Sequence, residues 1–508
     1  MSETSQPQQQ PAPLAHAPVA SLWPAWVDSL LQPIKAFRLR YLPVLMVYFA
    51  FGAAGIVDIT RDLWVKESLT LSPSELAGIA VWFSLPWTVK MVFGELVDCV
   101  PLFNSQRGSY VLMGAGMMSA GLIILAGGAG GWIVFAHPNQ LYVLGWMLVV
   151  VGQVMQDVVA DAMSTEVVPR KDESGKVRPE HDVRADLGMV QVLGRLAVSA
   201  GVLSVAGLSG WLAGMFSRET VFLIGLLMPA ISITGVFVRR AAPAERRPID
   251  WRILGGGLGF GAIVLMLGLA DVPFAQEWTF VISLTVVCAM LYLVTRTLTP
   301  AMRRAILFTS VIIFAFRATP NLGDGFFWFT LDVLKFDADF YGVLRQTAAI
   351  IAVVSLWAFS KQVTQYSVTA VLFWIAVADT ILALPGLGLV YGLHHWTEAH
   401  FGFGAHAIML IDSAAQSPFD QLSMVPLLML IAFYAPDGQR ATWFALMASL
   451  MNIALVAGAL QTKYLNEIFI VARGEYGELG PLFTWVVVMG FVIPVGAIVL
   501  FGRRVARD

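Results

Sequence analysis

Charged side chains lie inside stretches that are otherwise apolar, and they define the chemistry open to this chain. The set is Asp58, Lys90, Glu95, Asp157, Asp161, Glu166, Arg195, Arg317, Asp324, Arg345, Asp379, Asp412 and Asp420. An ionisable group at mid-bilayer costs roughly 2.5–3.5 kcal/mol on insertion scales, so each one needs a partner, a wet cavity or a function. Lys90, Glu95, Glu166, Asp324 and Arg345 sit near the ends of apolar stretches and can snorkel. Asp58, Asp157, Arg195, Arg317 and Asp412 lie deeper and are the functional candidates. Asp157 and Asp161 are four apart and share one helix face. Two carboxylates that close favour sharing a proton in low dielectric, which suits proton carriage. The competing reading is a charge lattice in which they lock helices together through Lys90 and Arg195.

Arg317-Ala-Thr-Pro320-Asn-Leu-Gly323-Asp324-Gly325 interrupts an apolar helix. Pro320 removes a backbone hydrogen bond and the two glycines loosen the next turn, so a break is expected there. Broken helices expose backbone groups and line substrate cavities. Arg317 is therefore expected to bind an anionic end of the substrate, unless Asp324, Asp58 or Asp412 satisfies it internally. A second break is expected at Ser417-Pro418. Most aromatic residues here are packing or lipid-facing; Trp82 and Phe327 are the candidates for stacking on a flat ring. His394, His395, His400 and His406 match no tight ligand spacing, so a solvated loop is expected rather than a metal site. The sequence holds no phosphate loop, nucleophile elbow or H-E-x-x-H motif. Catalysis and ATP-driven pumping have no support, and nothing requires a cofactor.

The elements that position these groups follow from composition. Of 508 residues, 57% are hydrophobic and 13% charged, and mean hydropathy is +0.73. Soluble domains are about 25% charged, so this is an all-α polytopic membrane protein. A net charge of −2 removes the basic surface that a nucleic-acid partner requires. Two cysteines, Cys99 and Cys288, exclude a disulfide scaffold. Residues 1–34 are rich in Pro, Gln, Ala and Ser without a signal-peptide pattern, so a disordered cytoplasmic tail is expected over 1–40.

Fourteen spans are expected, near 42–60, 74–96, 110–128, 141–163, 185–207, 219–238, 253–270, 279–297, 304–329, 340–359, 367–392, 404–433, 440–460 and 480–501. With the N-terminus inside, 22 Lys and Arg fall on the cytoplasmic side and six on the outer side. Both termini are then cytoplasmic. Reporter fusions at Arg246 and Arg504 should report the same side; opposite sides would refute the count. The stretches Leu69–Gly78 and Val333–Gly342 also echo each other, each with an acidic residue three before a glycine that enters the next helix. Their placement divides the chain into six-helix halves at 41–240 and 301–502. A linker at 241–300 carries two inserted helices, and 503–508 forms a short tail. Parallel halves of this kind characterise the major facilitator fold.

The residues also resemble a family. Ser84-Leu-Pro-Trp-Thr-Val-Lys90-Met-Val-Phe-Gly94-Glu-Leu-Val-Asp98-Cys-Val-Pro101 with Arg107 and Tyr110 resembles the signature of the folate-biopterin transporters, a branch of the major facilitator superfamily. Asp157-Val-Val-Ala-Asp161 with Glu166 is similar to the family's fourth-helix pattern. Ala318-Thr-Pro320 with Phe326-Phe327, the segment Asp412–Pro426 and the segment Ala441–Asn452 are similar to further family segments. Departures are Met91 for proline, Val97 for serine, a basic triplet reduced to Arg107, and Arg317 where glutamine is usual. The resemblance implies a proton-coupled symporter for folate or a pterin in a cell membrane, the inner membrane for a bacterial cell. By analogy with facilitator carriers it acts as a monomer, with the bilayer and a small-molecule substrate as its partners. In that reading Arg317, Asp58, Asp412, Trp82 and Phe327 bind substrate, and Asp157 and Asp161 carry the proton. Lys90, Gly94, Asp98 and Arg107 form a gate matching the facilitator pattern G-x-x-x-D followed by a basic residue, with Asp98 pairing to Arg107 or across the halves. The alternatives are a carrier of another organic anion or drug-like compound, and a non-transporting membrane scaffold.

Overall fold

A computed structural model describes residues 37–100, 102, 107–172, 174–238, 251–270, 272–296, 298–365, 368–433 and 440–505. After a 3-10 turn, α1 (Leu42–Gly52), a second 3-10 turn (Ala53–Val57) and α2 (Asp58–Ser68) form the first span. Next come α3 (Pro73–Thr88), α4 (Lys90–Cys99), α5 (Gly108–Gly130), α6 (Pro138–Glu166) and α7 (Glu180–Met215). Helices α8 (Arg218–Ile224) and α9 (Leu227–Val238) precede the inserted pair, α10 (Trp251–Leu269) and α11 (Ala275–Thr295). The remainder is α12 (Pro300–Arg317), α13 (Asp324–Asp332), α14 (Ala338–Gln365), α15 (Val368–Leu382) and α16 (Leu384–Val390). The chain ends with α17 (Leu393–Phe401), α18 (Ala405–Phe433), α19 (Arg440–Ile468) and α20 (Leu479–Val505).

Each expected apolar segment is helical. Among the described residues, nine helices are long and apolar enough to cross a membrane. The fourteen-span count itself remains an expectation.

Local sequence explains the helix starts. Ser72 caps α3, accepting from the Glu75 amide at 3.2 Å while the Glu75 carboxylate accepts from the Ser72 amide at 2.8 Å, with Pro73 in the first turn. Asp337 does the same for α14, accepting from the Phe340 amide at 2.8 Å. Both caps lie in the two echoed stretches, so that likeness has a physical content: each stretch starts a helix after a short turn. The break at Pro320 is present, because α12 ends at Arg317 and α13 starts at Asp324. Gly323 sits at φ 65°, a conformation that glycine adopts without strain. The expected break at Pro418 is absent, since α18 runs unbroken through it. The histidine-rich segment is likewise not a plain loop, because His394, His395 and His400 ride on α17.

Helices α1–α9 pack chiefly on one another, as do α12–α20, and the two groups meet along α3–α19 and α7–α14. The second crossing is tight. A Cβ on Gly210 would stand 2.5 Å from the Gly342 backbone, so alanine at either position forces the helices apart. Across the same crossing the Gly207 amide donates to Gln346 Oε1 at 2.9 Å. The inserted pair lies along the first crossing: α10 packs on α4, and α11 on both α3 and α19. Lys463 of α19 bonds Glu277 of α11 at 2.8 Å, and the Tyr464 hydroxyl donates to the same carboxylate at 2.7 Å.

Candidate functional site

The 3-10 turn at Ala53–Val57 ends span 1's regular helix, and α2 restarts with Asp58, Arg61 and Asp62 on one face. Arg61 grips Asp62 with Nε at 2.9 Å and Nη2 at 2.7 Å, and reaches Asp58 at 3.4 Å. Its guanidinium lies 4.3 Å from the ring centre of Trp146 on α6, a cation–π contact. From the other helix group, Arg345 of α14 reaches Asp58 at 3.4 Å and Asp62 at 3.5 Å. The two carboxylates are thus shared between an arginine of their own group and one from across the seam. Asp324, opening α13, lies within electrostatic range of Asp62, Arg61 and Arg473. Tyr341 and Phe327 close this side, with ring centres 4.9 Å apart.

Above this cluster the two groups are tied again. Lys66 pairs with Asp332, which also accepts from the Tyr476 hydroxyl. Arg473 donates to the Lys66 carbonyl at 2.8 Å and the Val65 carbonyl at 3.1 Å, and its guanidinium rests 4.2 Å from the Trp328 ring centre.

A second cluster lies at the other end, within the first helix group. The chain bends at Val89 between α3 and α4, and this aims Lys90 at α6. Lys90 Nζ stands 2.5 Å from Asp157 and 2.8 Å from Asp161. The Tyr48 hydroxyl of α1 donates to Asp161 at 3.0 Å. Arg107 is buried and donates to Glu166 at 3.0 and 2.5 Å and to the Val97 carbonyl at 3.2 Å. Spans 1, 2 and 4 are therefore pinned by charge.

A sequence profile of the BT1 family matches residues 52–507. The chain belongs to the BT1 family. This is the folate-biopterin transporter family of the sequence resemblance, so the chain is a multi-pass membrane transporter and not an enzyme. A folate-biopterin transporter of Synechocystis is 27% identical over 433 residues, covering 84% of this chain and 75% of its own. Folate transporter 1 of Plasmodium falciparum is 20% identical, covering 84% and 73%. A peptide transporter, POT, solved with sulfate superposes with a TM-score of 0.63 over 92% of this chain and 95% of its own, at 16% identity. The likeness establishes the major facilitator fold.

In this BT1 chain the sequence candidates fall in different places. Asp58 and Phe327 come together at the seam, joined by Arg345, expected only as a residue near a span end, and by Arg61 and Asp62, which the sequence does not single out. Trp82 does not join them: its ring lies 3.4 Å from a Cβ built on Gly268, against the inserted helix α10. Asp412 is 6% exposed inside the second helix group, with Oδ2 facing Gly386 and Oδ1 buried without a hydrogen-bond partner among the described residues. Among the described residues no contact joins it to Asp58, which is held by Arg61 and Arg345. Arg317 ends α12, beside an unwound segment whose backbone is held by α19. There Gln461 donates to the Ala318 carbonyl at 2.6 Å, and the Asn321 amide donates to Thr462 at 2.9 Å. Gly94 is in α4 with open space where a Cβ would go. Asp98 is in α4 as well, but its side chain lies outside the described residues. Arg107 pairs with Glu166 on span 4, and the expected pairing of Asp98 lies outside the described residues.

Proposed function

We propose that the protein is a secondary active carrier of folate or pterin-like organic anions, driven by protons. Its moving parts are the six-helix halves at 41–240 and 301–502, in a cell membrane with both termini cytoplasmic. The observation that carries this reading is the sharing of Asp58 and Asp62 between Arg61 of one half and Arg345 of the other. A site contributed by both halves is sensitive to their relative position, which alternating access requires. Its chemistry suits the substrate class. Arginine forks match the two carboxylates of a glutamate tail, carboxylates accept from a pterin amine, and Phe327 and Tyr341 offer ring faces. Lys66, Asp332 and Arg473 form the outer gate in this reading. The relatives named above as folate and folate-biopterin transporters support the substrate class.

Uptake of labelled folate into proteoliposomes, with and without an inward proton gradient, tests the proposal. Gradient-driven accumulation is expected. Uptake that only another organic anion supports would move the substrate, and no uptake of any would favour a scaffold. Arg317→Gln, which installs the residue usual in the family, should shift selectivity toward less anionic pterins. Competition by biopterin against folate measures this, and unchanged selectivity removes Arg317 from the site.

A further inference from the structure

We propose that the end of the bundle where α1 starts holds a binding site for a phosphate-bearing anion, in the membrane the headgroup of an anionic phospholipid. A cavity of about 420 Å³ lies between the start of α1, the loop joining α6 to α7, and the first turns of α7. Arg38, Arg40, Lys171 and Arg178 line it, against two carboxylates, Asp172 and Asp186. Both carboxylates are already engaged. Asp172 accepts from the Ser174 hydroxyl at 2.6 Å and from the Ser174 and Lys176 amides at 3.0 and 2.9 Å. Asp186 accepts from Arg178 at 2.8 Å, while Arg178 also donates to the Pro169 carbonyl at 3.0 Å. Among the described lining residues, four cations stand against two acids.

One of those cations is incompletely satisfied. Arg40 donates to the Tyr41 hydroxyl at 3.1 Å, but its Nε is buried and has no hydrogen-bond partner among the described residues. A buried guanidinium donor without an acceptor is costly, and an anionic oxygen in the cavity would remove that cost. The loop is preshaped for such a ligand. Lys171 pairs with Val177 in a short antiparallel bridge, and the Arg178 amide donates to the Arg170 carbonyl at 3.0 Å. Lys171 is held on the rim of the cavity rather than on a free tail.

Two features favour a lipid over a soluble anion. Phe37 and Leu39, 38% and 76% exposed, alternate with Arg38 and Arg40 in the chain. The short segment therefore presents apolar side chains beside its cations, as an interfacial anchor does. The charge distribution also assigns this end to the cytoplasmic leaflet, where anionic lipids meet basic pockets between helices.

The test uses the full chain in neutral detergent, with thermal unfolding midpoint and native mass spectrometry as readouts. Phosphatidylglycerol, phosphatidylcholine and inorganic phosphate are titrated against wild type and Arg40→Gln/Lys171→Gln. Phosphatidylglycerol should raise the wild-type midpoint and stay bound in the spectrometer, phosphatidylcholine should do neither, and the double variant should bind at least about 10-fold more weakly. Equal stabilisation by inorganic phosphate, again lost in the variant, keeps the site and makes its ligand a soluble anion. Identical responses of wild type and variant to every probe overturn the proposal. If the double variant does not fold, Lys171→Gln alone, on the exposed loop, carries the comparison. Folate uptake in purely neutral lipid should be the same in variant and wild type, which separates this site from the transport pathway.

Discussion

Arg345→Gln should cut the initial rate of folate uptake at least about 10-fold while leaving the folded protein nearly as stable as the wild type. The geometry sets both halves of that expectation. Arg345 meets Asp58 and Asp62 at 3.4 and 3.5 Å, at the long end for charged hydrogen bonds, and its side chain is 35% exposed. Loose, partly solvated pairs contribute only about 0–1 kcal/mol to stability, so the unfolding midpoint should barely move. A group that grips substrate in the transition between states is worth more, about 1.5–3 kcal/mol for a charged hydrogen bond. At 1.36 kcal/mol per decade that is a loss of roughly 13- to 160-fold. Arg345→Lys keeps the charge without the planar fork and should fall between the two. Uptake kinetics separate the possible roles. A substrate ligand raises KM, whereas a tie between the halves lowers the maximal rate and leaves KM in place. Unchanged uptake by a well-folded Arg345→Gln protein would remove the seam cluster from the transport pathway.

The sequence made some of this cluster visible and hid the rest, for identifiable reasons. Asp58 stood out because a carboxylate inside an apolar stretch is expensive. Arg61 and Asp62 did not, because the apolar run ends near residue 60 and the next residues read as an outer loop. The helix in fact restarts at Asp58 and continues to Ser68. The signal available was the spacing of Asp58, Arg61 and Asp62 at i, i+3 and i+4, which puts all three on one helical face. Arg345 read as a snorkelling end residue because a single sequence does not say which helices face each other across a seam. Proline gave mixed guidance. Pro320 marks a true break because two glycines follow it and α19 supplies partners for the freed backbone. Pro418 is absorbed within α18, and Pro86 sits inside α3 with the bend displaced to Val89. Trp82 lies away from the seam because the inserted helix, whose docking site no periodicity reveals, packs Gly268 against the edge of its ring.

Lys90→Gln should destabilise the protein far more than any change at the seam, and a second substitution should restore it. Lys90 is the shared counter-ion of Asp157 and Asp161, at 2.5 and 2.8 Å, and Asp157's side chain is only 16% exposed. Removing one partner from a fully buried ion pair costs about 3–5 kcal/mol; with Lys90 30% and Asp161 53% exposed, solvent screens part of that, and the cost rests mainly on Asp157. Among the described residues, Asp157 would keep only the field of Arg195 and Asp161 the Tyr48 hydroxyl, two like charges four residues apart on one helix. Lys90→Gln/Asp157→Asn removes one charge of each sign and should recover most of the lost unfolding temperature in detergent. The same pair of proteins decides what the carboxylates do. If they form a structural lattice, the rescued double variant keeps proton-driven accumulation. If they carry the coupling proton, it folds normally and still exchanges folate, but no longer accumulates it against a gradient. The lattice is the expected outcome, because Lys90 bridges both acids and Arg195 lies within electrostatic range of Asp157, so two cations already offset the two carboxylates. Under the proposed mechanism the seam carboxylates Asp58, Asp62 and Asp324 are the better place for that proton, since their counter-ions come from both halves and would separate if the halves moved.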